Sequence, residues 1–175
     1  GLNPLCDGAA LEALKLISKW LKVAFDQPEN INARGGMLVG SCLAGVAFTK
    51  GLGLVHSISH MIGAEYNTQH GLTNAIILPV VLKFNLSHVG KKVRFISHAM
   101  DLKDASSDLI TEEIEKILNY VDIPRSLSEI GVPLACKKRI AEKAMLDSAT
   151  VTNPRVAQIE DVEKLTEISI LSARQ

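Results

Sequence analysis

The chain has 175 residues, enough for one domain with a substantial buried core. Its 19 basic and 19 acidic residues cancel, so there is no electrostatic case for a nucleic-acid or anionic-membrane partner. Apolar residues make up 47% of the chain but aromatic residues only 4%, which favours packed helices over a β-sandwich. We therefore expect one all-α domain over residues 1–175, a compact bundle of about seven to nine helices.

The cysteines and the apolar runs indicate in which cellular compartment we expect the protein. Cys6, Cys42 and Cys136 are odd in number and widely spaced, which argues against a disulfide framework and favours a cytoplasmic protein. The longest apolar run, residues 37–48, is interrupted by Gly and Ser and is too short to span a bilayer. The N-terminus has no initiating Met and no secretory layout. This start indicates a fragment, a processed product or a tag remnant.

The helical period is clear from the first residues onward. Asn3-Pro4 supplies a cap and a first-turn proline for a helix that we expect to reach Phe25. A second helix, from about Ile31 to Lys50, carries glycines and alanines that permit close helix approach, and we expect it to be central and buried. Further helices are predicted at residues 53–62, 72–86, 93–100, 106–121, 135–147 and 159–171, with a short turn at 126–130.

The apolar run at residues 75–82 fits either a buried strand or a buried helix. We favour a helix kinked by Pro79, because Asn74, Lys83 and Asn85 stand where the turn residues of a strand would be.

Three of the five histidines, His56, His60 and His70, fall within fifteen residues. Neutral imidazole is the commonest protein ligand for a transition metal. His56 and His60 are four apart, so a helix would place their Cβ atoms about 5–6 Å apart on one face. Gly63 would let that helix end, and His70 could return on the next segment. The pattern fits half of a metal site, and equally fits histidines at the surface or in a core.

Two or three imidazoles leave a metal shell incomplete, because structural sites close with four ligands and catalytic sites with three plus water. No Cys-x-x-Cys and no obvious carboxylate completes it. A zinc peptidase is disfavoured. Its His-Glu-x-x-His motif needs a Glu where Ser57 stands, and its metzincin extension needs the third histidine six residues on rather than ten. Glu65 lies beyond the predicted helix end and cannot substitute.

A chained motif runs from position 53 to position 85: Gly-x-x-His-x-x-x-His-x-x-Gly, then His-Gly-Leu-x-Asn-Ala, then Leu-Pro-x-Val-x-x-Phe-Asn. It resembles the signature of the iron-containing (group III) alcohol dehydrogenases. The segments Asn3-Pro4-Leu5 and Asn153-Pro154-Arg155 resemble the same family. The resemblance spans nearly the whole chain but only the C-terminal half of that family's enzyme. Met61 and Gln69 stand where the family often has proline.

In that family an N-terminal Rossmann-like domain binds the nicotinamide cofactor, and a C-terminal helical domain, like that of dehydroquinate synthase, holds the metal. The resemblance implies that His56 and His70 are ligands for Fe²⁺ or Zn²⁺. It implies that His60 is the nonligand histidine beside the nicotinamide and substrate, with a catalytic role as proton relay or in substrate orientation. The family's other two ligands, an Asp and a His four residues later, have no counterpart here. The glycine-rich pyrophosphate loop is also missing.

The activity implied by the resemblance is that of an NAD- or NADP-linked alcohol dehydrogenase. Hydride passes between substrate carbon and nicotinamide while the metal polarises the oxygen of an alcohol, aldehyde or ketone. The expected partners are a small alcohol or aldehyde, the missing nucleotide-binding domain and, in a homo-oligomer, further copies. We expect the isolated chain to be inactive, to bind metal weakly and to expose an apolar surface around its histidines.

Two alternatives stay open. One is a stand-alone helical module that binds a metal or a protein partner. The other is a glycerol-dehydrogenase-like enzyme of the same fold.

Overall fold

The computed structural model describes residues 3–172. Over that range the chain forms eight α-helices and no strand. The helices are α1 Pro4–Asp26, α2 Ile31–Ala47, α3 Leu54–Tyr66, α4 His70–Leu86, α5 Lys92–Ala99, α6 Ser107–Tyr120, α7 Lys137–Ala144 and α8 Ile159–Ser172. Short 3-10 turns occur at Phe48–Lys50, Ser128–Ile130, Leu134–Cys136 and Thr150–Thr152. The all-α prediction is confirmed, and so is the expected number of helices.

The chain divides into two compact units with interleaved sequence. Residues 3–51 and 89–121 form one, which we call the α1–α2 unit and which also contains α5 and α6. Residues 52–88 and 122–172 form the other, the histidine unit, which contains α3, α4, α7 and α8. The expectation of a single domain stays a prediction.

In the α1–α2 unit, glycines set how closely α2 approaches α1. A Cβ atom built on Gly36 would lie 2.2 Å from Cδ1 of the Trp20 ring, and one on Gly40 would lie 3.1 Å from Cγ1 of Ile17. A side chain at Gly36 would displace the Trp20 ring, and one at Gly40 would be in tight contact with Ile17. The predicted close approach of the two helices is therefore confirmed.

The prediction that α2 is buried is wrong. Only Ala33 and Gly40 of this helix are buried, whereas Leu38 is 74% exposed and Val39 is 52% exposed. Gly36 and Gly40 lie on the face that packs against α1, whereas Gly35 and Gly45 lie off it. Among the larger apolar residues of α2, Ile31, Leu38, Val39 and Val46 are exposed, and Met37 and Leu43 are half-buried.

The exposed apolar surface of α2 bears on the prediction that the longest apolar run is too short to span a bilayer. Together with its 3-10 extension, α2 makes a stretch of 20 residues, Ile31–Lys50, that is long and apolar enough to cross a membrane. The apolar run at residues 37–48, which by itself is too short to span a bilayer, is part of this longer stretch. Length and composition do not distinguish a spanning helix from one that packs against another protein segment, so no membrane location follows.

The histidine unit has a continuous aliphatic core, to which α3, α4, α7 and α8 all contribute. Ile58 and Ile62 of α3 and Ile76 and Ile77 of α4 are fully buried there. Since α3 and α4 carry the three clustered histidines, this core fixes the two helices on which the candidate site stands.

Several helix boundaries in the histidine unit differ from the prediction: α7 spans only Lys137–Ala144 rather than residues 135–147, and α3 and α4 differ at the ends that flank the histidine cluster. Helix α3 does not end at Gly63 but continues to Tyr66 and ends at Asn67, whose φ of 51° is left-handed. Asn is one of the few residues that adopt this conformation at a helix end. Helix α4 begins at His70, earlier than predicted, because the Gln69 side chain accepts a hydrogen bond from the Leu72 amide. The helix continues past Pro79, which confirms a helix over a strand.

Candidate active site

The start of α3 is fixed by the loop between α7 and α8. The Leu52 amide donates to Thr152 Oγ1 at 3.2 Å, and the Gly53 amide donates to the Ala149 carbonyl at 3.1 Å. The Leu54 amide donates to Asn153 Oδ1 at 3.2 Å. Three consecutive backbone donors, the last of them on the first residue of α3, are thus satisfied.

Asn153 also ties this loop to the end of α4. The side-chain amides of Asn153 and Asn85 form two hydrogen bonds, in which Nδ2 of each residue donates to Oδ1 of the other, at 2.8 and 2.9 Å. Gly53 has a φ of 89°, and a Cβ there would lie 3.0 Å from Asn153 Oδ1. Gly53, Asn85 and Asn153 all belong to the segments that carry the family resemblance. In the structure they join the start of α3 to the end of α4, the two helices that carry the histidines.

The three predicted site histidines come together. His56 and His60 lie one turn apart on α3, and His70 is the first residue of α4. The ring centroids are 5.3 Å apart for His56 and His70, 5.5 Å for His60 and His70, and 5.8 Å for His56 and His60. His56 and His60 are half-buried, whereas His70 is exposed. The cluster is open to solvent on one side.

His56 and His70 direct the same ring atom at a common point. The Asn74 side-chain amide lies 3.4 Å from Nε2 of His56 and 3.0 Å from Nε2 of His70 through its Nδ2 atom. Its buried Oδ1 atom has no hydrogen-bond partner among the described residues. An amide N–H donates, so both Nε2 atoms present lone pairs to this point. A cation at the same place would meet two nitrogen donors.

His60 has a different partner. Its Nδ1 atom lies 2.9 Å from Oδ2 of Asp147, which follows α7, and the Ala149 amide donates to Asp147 Oδ1 at 2.7 Å. The sequence analysis missed Asp147. It stands 87 residues after His60, and no local spacing signals a contact across that distance.

The electrostatics of the cluster favour neutral imidazole at His56. Burial lowers the pKa of His56 below its usual 6.5, and repulsion from protonated His70 and His60 lowers it further. The Asp147 carboxylate acts on His56 in the opposite direction. Burial alone would raise the pKa of Asp147, but hydrogen bonds from Ala149 and His60 outweigh it and the pKa falls. Neutral imidazole is the form that binds metals.

A cavity of about 280 Å³ adjoins His56. Its lining is formed by Leu52, Val55, His56, Asn74, Ala75 and Leu78. Four of these side chains are aliphatic, so the space beside His56 and Asn74 suits a short hydrocarbon group.

Comparison with known proteins identifies the family of this chain. Residues 2–170 match the model of the Fe-containing alcohol dehydrogenase family, C-terminal part. The chain belongs to this family. Among curated relatives, it is 37% identical over 174 residues to the NAD-dependent methanol dehydrogenase of Bacillus methanolicus, covering 94% of this chain and 45% of the relative. It is 35% identical to the lactaldehyde reductase of Escherichia coli K12, covering 94% and 44%.

Solved structures of this family have the same fold. The crystal structure of a 1,3-propanediol oxidoreductase superposes with a TM-score of 0.90 at 31% identity, covering 96% of this chain and 46% of that one. The chain therefore spans a little under half the length of the relatives that it matches. The resemblance predicted from the chained histidine motif is confirmed. The ligand roles of His56 and His70 and the role of His60 stay predictions.

The family match leaves the donor set of this chain incomplete. Within residues 3–172, no group of three His, Cys, Asp or Glu side chains is arranged to hold a metal ion by itself. His56 and His70 supply two converging nitrogen atoms, and Asn74 is an amide rather than an ionisable ligand. Any ion bound here with full coordination needs further donors.

Proposed function

We propose that this chain is the C-terminal part of a metal-dependent, NAD- or NADP-linked alcohol dehydrogenase that interconverts a small alcohol and its aldehyde or ketone. The observation that carries the proposal is the convergence of His56 Nε2 and His70 Nε2 on one point, in a chain of the Fe-containing alcohol dehydrogenase family. The names of the relatives support the reaction class, since they act on methanol and lactaldehyde.

The residues present fit a transition metal. Imidazole nitrogen suits Fe²⁺ and Zn²⁺, and burial keeps His56 in the neutral, ligating form. His56 and His70 would hold the ion through Nε2, after the Asn74 amide has moved aside. When bound, the metal supplies Lewis-acid polarisation of the substrate oxygen. The remaining ligands would come from the N-terminal part of the family's protein, which lies outside this chain.

The other residues of the site bind and orient the reactants. We place the aliphatic part of the substrate in the cavity formed by Leu52, Val55 and Leu78, next to His56. His60 would stand beside the nicotinamide and hold or accept a proton at Nε2. The nucleotide itself needs the N-terminal domain, because no glycine-rich pyrophosphate loop occurs in this sequence. The NAD dependence named for the methanol dehydrogenase relative supports the choice of cofactor.

Zinc titration of the purified chain, followed by calorimetry, tests the ligand assignment. Because two nitrogen donors remain in the chain, we expect weak but measurable binding at neutral pH. His56→Ala and His70→Ala should each weaken it about tenfold or more, since removing even an outer partner of a ligand costs about 10–100-fold. His88→Ala is the matched control, because His88 is an exposed histidine of the same unit. Equal affinity in all four proteins would refute the metal assignment.

An activity assay tests the prediction that this chain alone cannot oxidise alcohols. Purified protein with NAD or NADP and a panel of primary alcohols should show no reduced nicotinamide above background, with added zinc or anaerobic Fe²⁺. Turnover by this chain alone would show that it forms a working nucleotide site, and the proposed division of labour would be wrong.

A further inference from the structure

We infer that Asp147 is the positioning residue of the candidate site: it holds His60 as the Nδ1–H tautomer and leaves Nε2 as the acceptor on the open side of the histidine cluster. The catalytic meaning of this inference rests on the proposed function. The geometry behind it does not.

The hydrogen bond between the two side chains has a single direction. An ionised carboxylate only accepts, and Oδ2 of Asp147 lies 2.9 Å from His60 Nδ1. The proton of the bond must therefore be on Nδ1. In a neutral imidazole the other nitrogen is then an acceptor, because the two ring atoms share one proton. The carboxylate thus selects one of the two tautomers.

Asp147 is itself held rigidly, as a positioning residue must be. Its side chain is only 14% exposed, and the Ala149 amide binds its second oxygen at 2.7 Å. The backbone on both sides is fixed by hydrogen bonds, from the Asp147 amide to the Ala144 carbonyl and from the Thr150 amide to the Asp147 carbonyl, both 3.1 Å. Thr150 Oγ1 also donates a hydrogen bond to the Ala144 carbonyl, at 2.6 Å. The carboxylate therefore presents one orientation to the histidine.

His60 is available for proton transfer at its other nitrogen. The side chain is 36% exposed, and no described residue forms a hydrogen bond with Nε2. The ring stacks on His70 with an interplanar angle of 17° and a centroid distance of 5.5 Å. The two rings are nearly parallel, and the hydrogen bond to Asp147 fixes which edge of the His60 ring faces the carboxylate. Nε2, at the other edge of the ring from the carboxylate, is left to exchange a proton with a substrate or cofactor.

Nitrogen NMR of the histidine side chains tests the inference without metal or substrate. In ¹⁵N-labelled chain, at a pH where the rings are neutral, we expect His60 to show a protonated Nδ1 and an unprotonated Nε2. A His60→Gln variant assigns the signals. In Asp147→Ala the two nitrogens should move toward the opposite tautomer or toward an average. In Asp147→Asn the shift should be smaller, because the amide oxygen can still accept.

Glu142→Ala is the matched control, because Glu142 is an exposed acid on α7 that should leave the His60 spectrum unchanged. If Asp147→Ala does not fold, as judged by circular dichroism, Asp147→Asn and the wild-type spectrum still decide. A wild-type His60 protonated on Nε2, or a folded Asp147→Ala with unchanged His60 signals, would overturn the inference. If the tautomer behaves as expected but zinc binding ignores His56 and His70, the proposed function fails while the role of Asp147 stands.

Discussion

The two units of this chain use similar apolar sequences to different effect. In the histidine unit, helices α3, α4, α7 and α8 all face a common aliphatic core, and residues such as Ile58 and Ile77 have no exposed surface. In the α1–α2 unit, α2 packs one face on α1 and leaves Leu38 74% exposed. Apolar composition alone does not bury a helix; it must also have partners on every apolar face. The candidate site stands on the unit whose packing is complete, as a fixed geometry requires.

The largest expected effect separates the two units directly. Ile58→Ala, within the core of the histidine unit, should lower the free energy of unfolding by about 2–5 kcal/mol, because it removes buried methyl groups and leaves a cavity. Leu38→Ala on the open face of α2 should change it by no more than about 0.5 kcal/mol. Urea unfolding of the two variants measures both. Equal losses would mean that α2 is covered in solution, and the contrast between the units would disappear.

A smaller effect distinguishes the two faces of α2. Gly36→Ala should cost about 1–3 kcal/mol, because the new methyl group would displace the Trp20 ring. Gly35→Ala should instead stabilise the protein by about 0.5–1 kcal/mol, since nothing lies within 4 Å of the added atom and alanine favours the helix. Trp20 is the single tryptophan, so its fluorescence reports the displacement directly. An unshifted emission in Gly36→Ala would contradict the close helix contact.

The smallest effect concerns the ion pairs between α3 and α7. Arg139 and Lys143 lower the pKa of Glu65 from 4.5 to about 2. Because the folded pKa is the lower one, this contribution is complete above about pH 4.5 and is lost as the pH falls toward 2. Both cations are about half exposed, so we expect no more than about 1 kcal/mol.

Unfolding of wild type and Glu65→Gln at pH 7 and at pH 3 measures this contribution. The gap between the two proteins should narrow at the lower pH. Glu12→Gln, which removes an exposed pair with Lys15, should show no such dependence. A gap that widens in acid would mean that the carboxylate is not stabilised in the folded state.

What could be predicted from the sequence was local. The helical periods, the cap at Asn3 and the glycine contacts of α2 all depend on residues a few positions apart, or on one face of one helix. The histidine motif was specific because its spacing extends over more than thirty residues. The burial of α2 depended on partners that a helical pattern does not specify. The end of α3 at Asn67 rather than Gly63 depended on a left-handed Asn that the glycine before it concealed.

The contacts that hold the site in place could not be predicted from local sequence patterns, because they join residues that lie far apart in the chain. Asp147 meets His60 across 87 positions, and Asn153 meets Leu54 across 99. The motif Asn153-Pro154-Arg155 was visible in the sequence, but its function as an anchor for α3 appears only when the chain is folded. Conversely, the meeting of His56 and His70 needed just one helix, one short loop and a second helix, which is why it could be anticipated.

The loop between α7 and α8 contacts both the His60 side chain and the first residues of α3. Residues 147–153 provide the carboxylate for His60 and also bind the backbone at the beginning of α3, which carries His56. An insertion or deletion there would misalign both rings at once, even though the loop contains none of the three histidines. Chimaeras between members of the family should therefore exchange this loop together with α3, as a single cassette.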